Sequence, residues 1–212
     1  MVSQEIHYIK KFILLFGIYF FLAHILAAIF RFNRIPEWGM IIQGIILFLF
    51  LLYLLLWILA ESDLLKDQYF CKILLLFIYI SRAIIAIINE YYPILPNVSD
   101  VAYYHNLGID FSREILIQGS GIGSSAFGNY FIGTLYFILG ASPVLISIAN
   151  TFIYSITILI IIKICHKLKF YNYWLVVLLA AILPSSFLYI PVMLRESMFL
   201  LFSSLYFYWL IV

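Results

Sequence analysis

A chain of 212 residues with 66% hydrophobic and 10% charged residues is not a soluble domain, because any folded surface exposes far more polar area than this composition supplies. The formal net charge is +2 and the basic residues sit singly or in small groups at the ends of apolar runs, so the concentrated basic face that nucleic-acid binding requires is missing. A mean hydropathy of +1.12 and apolar runs of about 20 residues predict an all-α, polytopic membrane bundle in a bilayer.

Lys10 and Lys11 precede the first apolar run, 12–30. It is too long for the apolar core of a cleavable signal and is followed at once by Arg31-Phe32-Asn33-Arg34, so it reads as an uncleaved span. A second run covers 40–60, and a third covers 73–88 with Arg82 inside it. A polar stretch, 89–127, follows. Tyr130 to Leu139 is apolar but too short to cross a bilayer, and Gly128, Gly133 and Gly140 weaken it further. It reads as a re-entrant or interfacial helix packed against protein. Runs at 144–162, 174–190 and 198–212 complete a single membrane domain of about six spans.

Lysine bias sets the orientation. With the N-terminus inside, the inner segments carry Lys10, Lys11, Lys66, Lys72, Lys163, Lys167 and Lys169. The outer segments carry Arg31, Arg34, Arg113 and Arg195, and no lysine. The 89–127 loop is then extracytoplasmic, and its acids are Glu90, Asp100, Asp110 and Glu114.

Asp100 is the most informative residue of that loop. Pro93, Pro96 and Asn97 break the preceding helix. Ser99 or Asp100 then caps a new one, and Val101, Tyr104, Leu107, Phe111 and Ile115 recur at helical spacing. The spacing predicts an interfacial amphipathic helix over 100–117, lying on the membrane surface. Asp100 reads either as a plain helix cap or as a rigidly placed carboxylate base, and these roles are compatible. Gly119-Ser120-Gly121-Ile122-Gly123-Ser124-Ser125 lacks the Gly-Lys-Ser/Thr ending of a phosphate loop, so it reads as a linker.

Arg82 lies inside a span, where a charge is costly and faces a partner or cavity. It reads as an anchor for a lipid-borne phosphate, or as a side chain that snorkels outward or pairs with Glu90. Arg195-Glu196, after Pro184 and Pro191, is the second outer-face signal, and its bland reading is a solvated ion pair. His24 in the first span reads as a partner in one interhelical hydrogen bond. Cys71 and Cys165 show no disulfide or metal-ligand pattern and read as small apolar residues.

This order of spans, outer loop with an early Asp, interfacial helices, basic inner loop and outer acidic motif resembles the N-terminal part of GT-C class membrane glycosyltransferases. The protein mannosyltransferase-like and aminoarabinose transferase-like enzymes are the nearest kind. The similar stretches are Asp100 with Tyr103 and Tyr104, Gly128 to Tyr136 with Gly140-Ala141-Ser142-Pro143, and Pro184-Ser185-Ser186 followed by Leu194-Arg195-Glu196-Ser197. They cover about residues 73 to 212. Two spans precede the class's usual first one, and Val101 stands where a second acid is usual.

The resemblance implies a polyprenyl-phosphate-linked sugar donor and transfer on the extracytoplasmic face of the plasma (inner) membrane. Asp100 is the implied base, and Glu196 would orient the acceptor or a divalent metal where one is used. Tyr103 and Tyr104 would line the substrate, with Arg82 or Arg195 balancing the leaving phosphate. Asp100 and Glu196 are therefore expected to share one cleft. No organic cofactor is implied. The class has further spans, so the chain is expected to be a fragment, without the part that binds acceptor. Two other readings stand beside it. One is a polysaccharide repeat-unit polymerase. The other is a transporter or flippase fragment, which would place broken helices and internal repeats near the bilayer midplane.

Overall fold

The computed structural model describes residues 11, 15, 18, 22, 37–95, 99–117, 131–139, 142–183, 188, 190–191 and 196–211, with side chains described at these positions except 37–41, 91, 99–100, 111–117 and 137–139. Among the described residues there are seven α-helices and no strand: α1 Glu37–Glu61, α2 Tyr69–Tyr91, α3 Ser99–Ile117, α4 Gly133–Leu139, α5 Pro143–Lys167, α6 Tyr173–Ile182 and α7 Glu196–Ile211. A single 3-10 turn, Asp63–Leu65, joins α1 to α2. Lys11 is helical, as are Leu15, Ile18 and Leu22 of the first apolar run, and the rest of that run lies outside the described residues.

Three helices are long and apolar enough to cross a membrane: Ile42–Glu61, Tyr69–Glu90 and Pro143–Lys167. They match the second, third and fourth runs, the first of them shifted by one or two residues and the other two extended at both ends. α7 is apolar over 16 residues. α6 is only 10 residues long, about 15 Å of rise against a hydrocarbon core of about 30 Å. The continuous span expected over 174–190 is therefore interrupted. Leu183 leaves the helix at φ −57° and ψ 118°, the conformation forced on a residue that precedes proline, and Pro184 itself lies outside the described residues.

α5 is the central helix. Two thirds of its apolar window, 67%, is buried inside the protein, and α1, α2, α6 and α7 all pack against it. It begins with Pro143 at the first helical position, where the missing N–H costs nothing. Its interior face carries Ser147, Asn150, Thr151, Ser155 and Thr157 among the isoleucines, all buried. Small polar residues of this kind let neighbouring backbones approach. Their hydroxyls are satisfied within the helix itself: Thr151 donates to the Ile148 carbonyl at 2.7 Å, Ser155 to Thr151 at 3.0 Å and Thr157 to Ile153 at 2.9 Å.

α5 ends in a Schellman motif. Lys169 sits at φ 62°, the Phe170 N–H returns to the Cys165 carbonyl at 2.9 Å, and the Lys169 N–H returns to His166 at 3.0 Å. A lysine in this left-handed position costs about 1–2 kcal/mol relative to glycine. Its charge, with His166 and Lys167 in the last turn, offsets part of that by facing the negative end of the helix dipole.

Tyr79 locks three spans together. It is fully buried in α2, stacks on Phe48 of α1 at 5.6 Å, meets Phe152 of α5 edge-on at 6.4 Å, and donates its hydroxyl to the Phe48 carbonyl at 3.0 Å. α1 also approaches α5 closely at Gly44, where a Cβ would stand 3.0 Å from Val144 Cγ1.

The two ends of the bundle differ in charge. Glu61, Asp63 and Lys163 line one groove of about 510 Å³, so the C-termini of α1 and α5 share an end with the start of α2. All of the described lysines from Lys66 to Lys169 belong to that end. The opposite end holds the end of α2, the α3–α4 pair and the starts of α5 and α7, and the sequence from 73 to 162 contains no lysine.

Candidate functional site

The lysine-free end is organised by how the chain leaves α2. Asn89 accepts through Oδ1 from the N–H of Ile94 at 3.0 Å and of Leu95 at 2.8 Å. This side chain takes the place of the helix's next turn and redirects the backbone, with Pro93 preventing continuation. α3 starts at Ser99, so Asp100 lies in its first turn and not at the residue before it. A carboxylate there interacts favourably with the helix dipole. The Asp100 side chain lies outside the described residues.

α3 is helical over the expected residues, and the first part of its apolar stripe faces protein. Tyr104 is 5% exposed and joins Ile132 and Tyr136 of the α4 segment and Ile146 of α5 in one cluster, with Val101 packed against it. Of the stripe, Tyr104 and Val101 face protein and Leu107 is half-buried outside this cluster, while Phe111 and Ile115 have side chains outside the described residues. Gly108 allows the packing: a Cβ there would stand 2.5 Å from Ile132 Cγ2 and 3.2 Å from the Tyr136 ring, so its absence lets α4 lie directly on α3. The short apolar segment is thus packed on protein, as its length requires. Tyr103, one residue from Tyr104, points away and is 47% exposed.

Two polar contacts at this end had no local signal in the sequence. His105 Nδ1 lies 2.6 Å from the Tyr136 hydroxyl, with the rings edge to face at 5.5 Å. Burial holds the His105 imidazole below its ordinary pKa. Burial, and then the Glu90 carboxylate, push the Tyr136 phenol up. In the second contact, Ser197 of α7 donates to Asn150 Oδ1 of α5 at 2.8 Å, both side chains being 1% exposed. The two residues are 47 apart in sequence, and only the packing of α7 along α5 joins them.

Ile146 and Asn150 are one turn apart on α5. The first belongs to the buried cluster that includes Tyr104 of α3, and the second accepts from Ser197 of α7. Tyr104 and Ser197, each in the first two turns of its helix, are thus linked to the first turns of α5. Asp100 lies in the first turn of α3, and Glu196, the first residue of α7, is exposed. Helix N-termini favour anionic groups. The Asp100 to Glu196 separation, Arg195, Pro184 and the Gly119–Ser125 linker lie outside the described residues.

Arg82 has a different position from any expected. It is 1% exposed and donates to the carbonyls of Ala180 and Ala181, each at 3.1 Å, while Tyr154 donates to Ala180 at 3.0 Å. Its guanidinium lies 5.4 Å from the centre of the Tyr154 ring. Both carbonyls lie in the last turn of α6, which ends at Ile182. The charge in the span thus meets the end of a broken helix. It does not snorkel outward.

At the opposite end, Cys71 is buried and Cys165 half-buried, and both are free thiols. Among the described residues no three His, Cys, Asp or Glu side chains gather as a metal site. No protein-family model, no curated protein and no solved structure matches the chain.

Proposed function

We propose that this chain is a membrane glycosyltransferase domain that transfers a sugar from a polyprenyl-phosphate donor at the lysine-free end of the bundle. In this reading the protein is multi-pass in the plasma (inner) membrane. The lysine-bearing end and the N-terminus face the cytoplasm, and the first apolar run, α6 with the residues after it, and α7 bring the spans to six. Asp100 accepts the proton of the acceptor hydroxyl, whose oxygen bonds to the anomeric carbon. The bond from that carbon to phosphate breaks, and its electron pair leaves with polyprenyl phosphate. Glu196 orients the acceptor, and Tyr103 and Tyr104 flank the site. Arg82 contributes by holding the end of α6, so the charge of the leaving phosphate falls to Arg195 and to the N-terminal helix dipoles.

The observation that supports this reading is that Ile146 of α5 shares a buried cluster with Tyr104 of α3, and that Asn150, one turn on, accepts from Ser197 of α7. Asp100 and Glu196 each lie in the first turn of a helix, and Tyr104 and Ser197, close to them in sequence, are buried in the clusters and bonds that involve the first turns of α5. The full chain, reconstituted in liposomes, is tested with polyprenyl-phosphate hexoses and pentoses and cell-envelope glycan as acceptor. Release of polyprenyl phosphate is measured. Asp100→Asn retains size and helix-start compatibility and is expected to lower release about 10²-fold or more. Release by this variant near that of the parent, or none by the parent with any donor, overturns the reading.

A further inference from the structure

The groove of about 510 Å³ at the lysine-bearing end combines apolar walls with both signs of charge. Its charged side chains are Glu61, the last residue of α1, Asp63 of the 3-10 turn, and Lys163 towards the end of α5. All three are exposed. Among the described residues neither carboxylate forms an ion pair with the Lys163 ammonium, so the opposite charges are not neutralised by one another. The apolar lining includes Trp57, Ile156 and Ile160. Along α5 the groove follows the helix from Ile156 to Lys163, two turns or about 10 Å. It therefore reaches from the charged helix ends into the apolar part of two helices suited to crossing a membrane. That is the depth at which headgroups give way to acyl chains. Its volume lies in the range of about 300–1,000 Å³ usual for small-molecule sites.

We propose that this groove binds a phospholipid with a primary amine in its headgroup, of the phosphatidylethanolamine type. The phosphate pairs with Lys163, the ammonium with Glu61 and Asp63, and an acyl chain lies along Ile156 and Ile160. Charge complementarity selects this headgroup. Two acids stand against one base, so an anionic headgroup such as phosphatidylglycerol meets Lys163 and brings no cation for the carboxylates. Phosphatidylcholine carries both charges, but its trimethylammonium has no N–H. A primary ammonium has three donors, and its hydrogen bonds to carboxylates are of the stronger, charge-assisted kind. The walls select a lipid over a soluble phosphoethanolamine, which would leave the isoleucines in contact with water. Trp57, one turn inside Glu61, is of the residue type enriched where headgroups meet hydrocarbon. The groove lies at the end of the bundle opposite to Tyr103 and Tyr104, and the proposal does not rest on the transfer reading.

The test is native mass spectrometry of the full chain in detergent. Phosphatidylethanolamine, phosphatidylcholine and phosphatidylglycerol with the same acyl chains are titrated separately, and the dissociation constant of the first bound lipid is read. The parent is expected to hold phosphatidylethanolamine about threefold or more tighter than either other lipid, the modest scale of exposed ion pairs. The double variant Glu61→Gln with Asp63→Asn is expected to bring it to the level of phosphatidylcholine. Lys163→Gln is expected to weaken both. These side chains are exposed, so thermal unfolding without lipid should match the parent and confirm that the variants fold. Equal binding of the three lipids by the parent overturns the proposal, as does a preference that survives in the double variant. Displacement of the lipid by an equal concentration of phosphoethanolamine overturns it too, because the acyl chain then contributes nothing.

Discussion

Arg82 donates to the carbonyl of Ala180, 98 residues away in the chain, at 3.1 Å. The contact joins α2 to the broken end of α6. It also converts a charge that would be costly in a membrane span into the cap of a helix that cannot continue through Pro184. Tyr154 shares the same carbonyl from α5, so three helices meet at one oxygen.

Replacing Arg82 by leucine removes its bond to the half-buried Ala181 carbonyl and one of the donors to the Ala180 carbonyl, which Tyr154 still holds. Each buried acceptor left without its donor costs about 1–3 kcal/mol. Tyr154→Phe removes one neutral bond, worth roughly 0.6 kcal/mol in membrane proteins. Thermal unfolding in detergent should therefore show Arg82→Leu clearly less stable than Tyr154→Phe, with the phenylalanine variant close to the parent. Equal stability of all three would remove Arg82 from its capping role.

Gly108 determines how closely α3 and α4 approach, because a Cβ at this position meets Ile132 Cγ2 at 2.5 Å. Gly108→Val should destabilise the protein by about 1–3 kcal/mol through overpacking. Combining it with Ile132→Ala, which removes the opposing atom, should recover part of that loss. A double variant less stable than the sum of the single ones would show that this contact does not set the spacing.

His105 makes stability depend on pH. Burial lowers its pKa in the folded chain from the ordinary 6.5. Below pH 6.5 the unfolded chain binds the proton more readily than the folded one, so stability present above 6.5 is lost as pH falls towards the folded value. The parent should unfold at lower temperature at pH 5 than at pH 7.5. His105→Gln should show a smaller difference, since glutamine does not titrate. The same pH difference in both proteins would assign the effect to other groups.

The proposed orientation is checked by labelling. In a background with Cys71→Ala and Cys165→Ala, Tyr103→Cys occupies an exposed position at the lysine-free end, and Lys167→Cys an exposed position at the other. A membrane-impermeant maleimide should reach position 103 in intact cells and position 167 only after permeabilisation. The reverse pattern would invert the topology.

Much of the fold was legible in the residues themselves. The long apolar runs became α1, α2 and α5, because a run of about 20 apolar residues satisfies its own backbone and prefers hydrocarbon over its whole length. The helix starting near Ser99 and the short, non-spanning segment near Tyr136 followed from spacing and length. The interruption of the run after Ile182 was signalled by Pro184 and still escaped a reading based on hydropathy, since proline is apolar while its effect on Leu183 is steric.

The sequence by itself determined that this is an α-helical protein suited to a bilayer, with its lysines gathered in a few short segments and none between 73 and 162. Those properties are local, set by the side chains of each run. Only the tertiary structure decided that the first part of the α3 stripe faces protein, that Arg82 caps α6, that Tyr136 holds His105, and that Ser197 meets Asn150. These contacts join residues 31 to 98 positions apart. Helical periodicity relates residues three and four apart and says nothing about which neighbouring face they will meet. Helix packing supplies that information, through the missing Cβ of Gly108, the hydroxyls and amide on the inner face of α5, and the carbonyls in the last turn of α6.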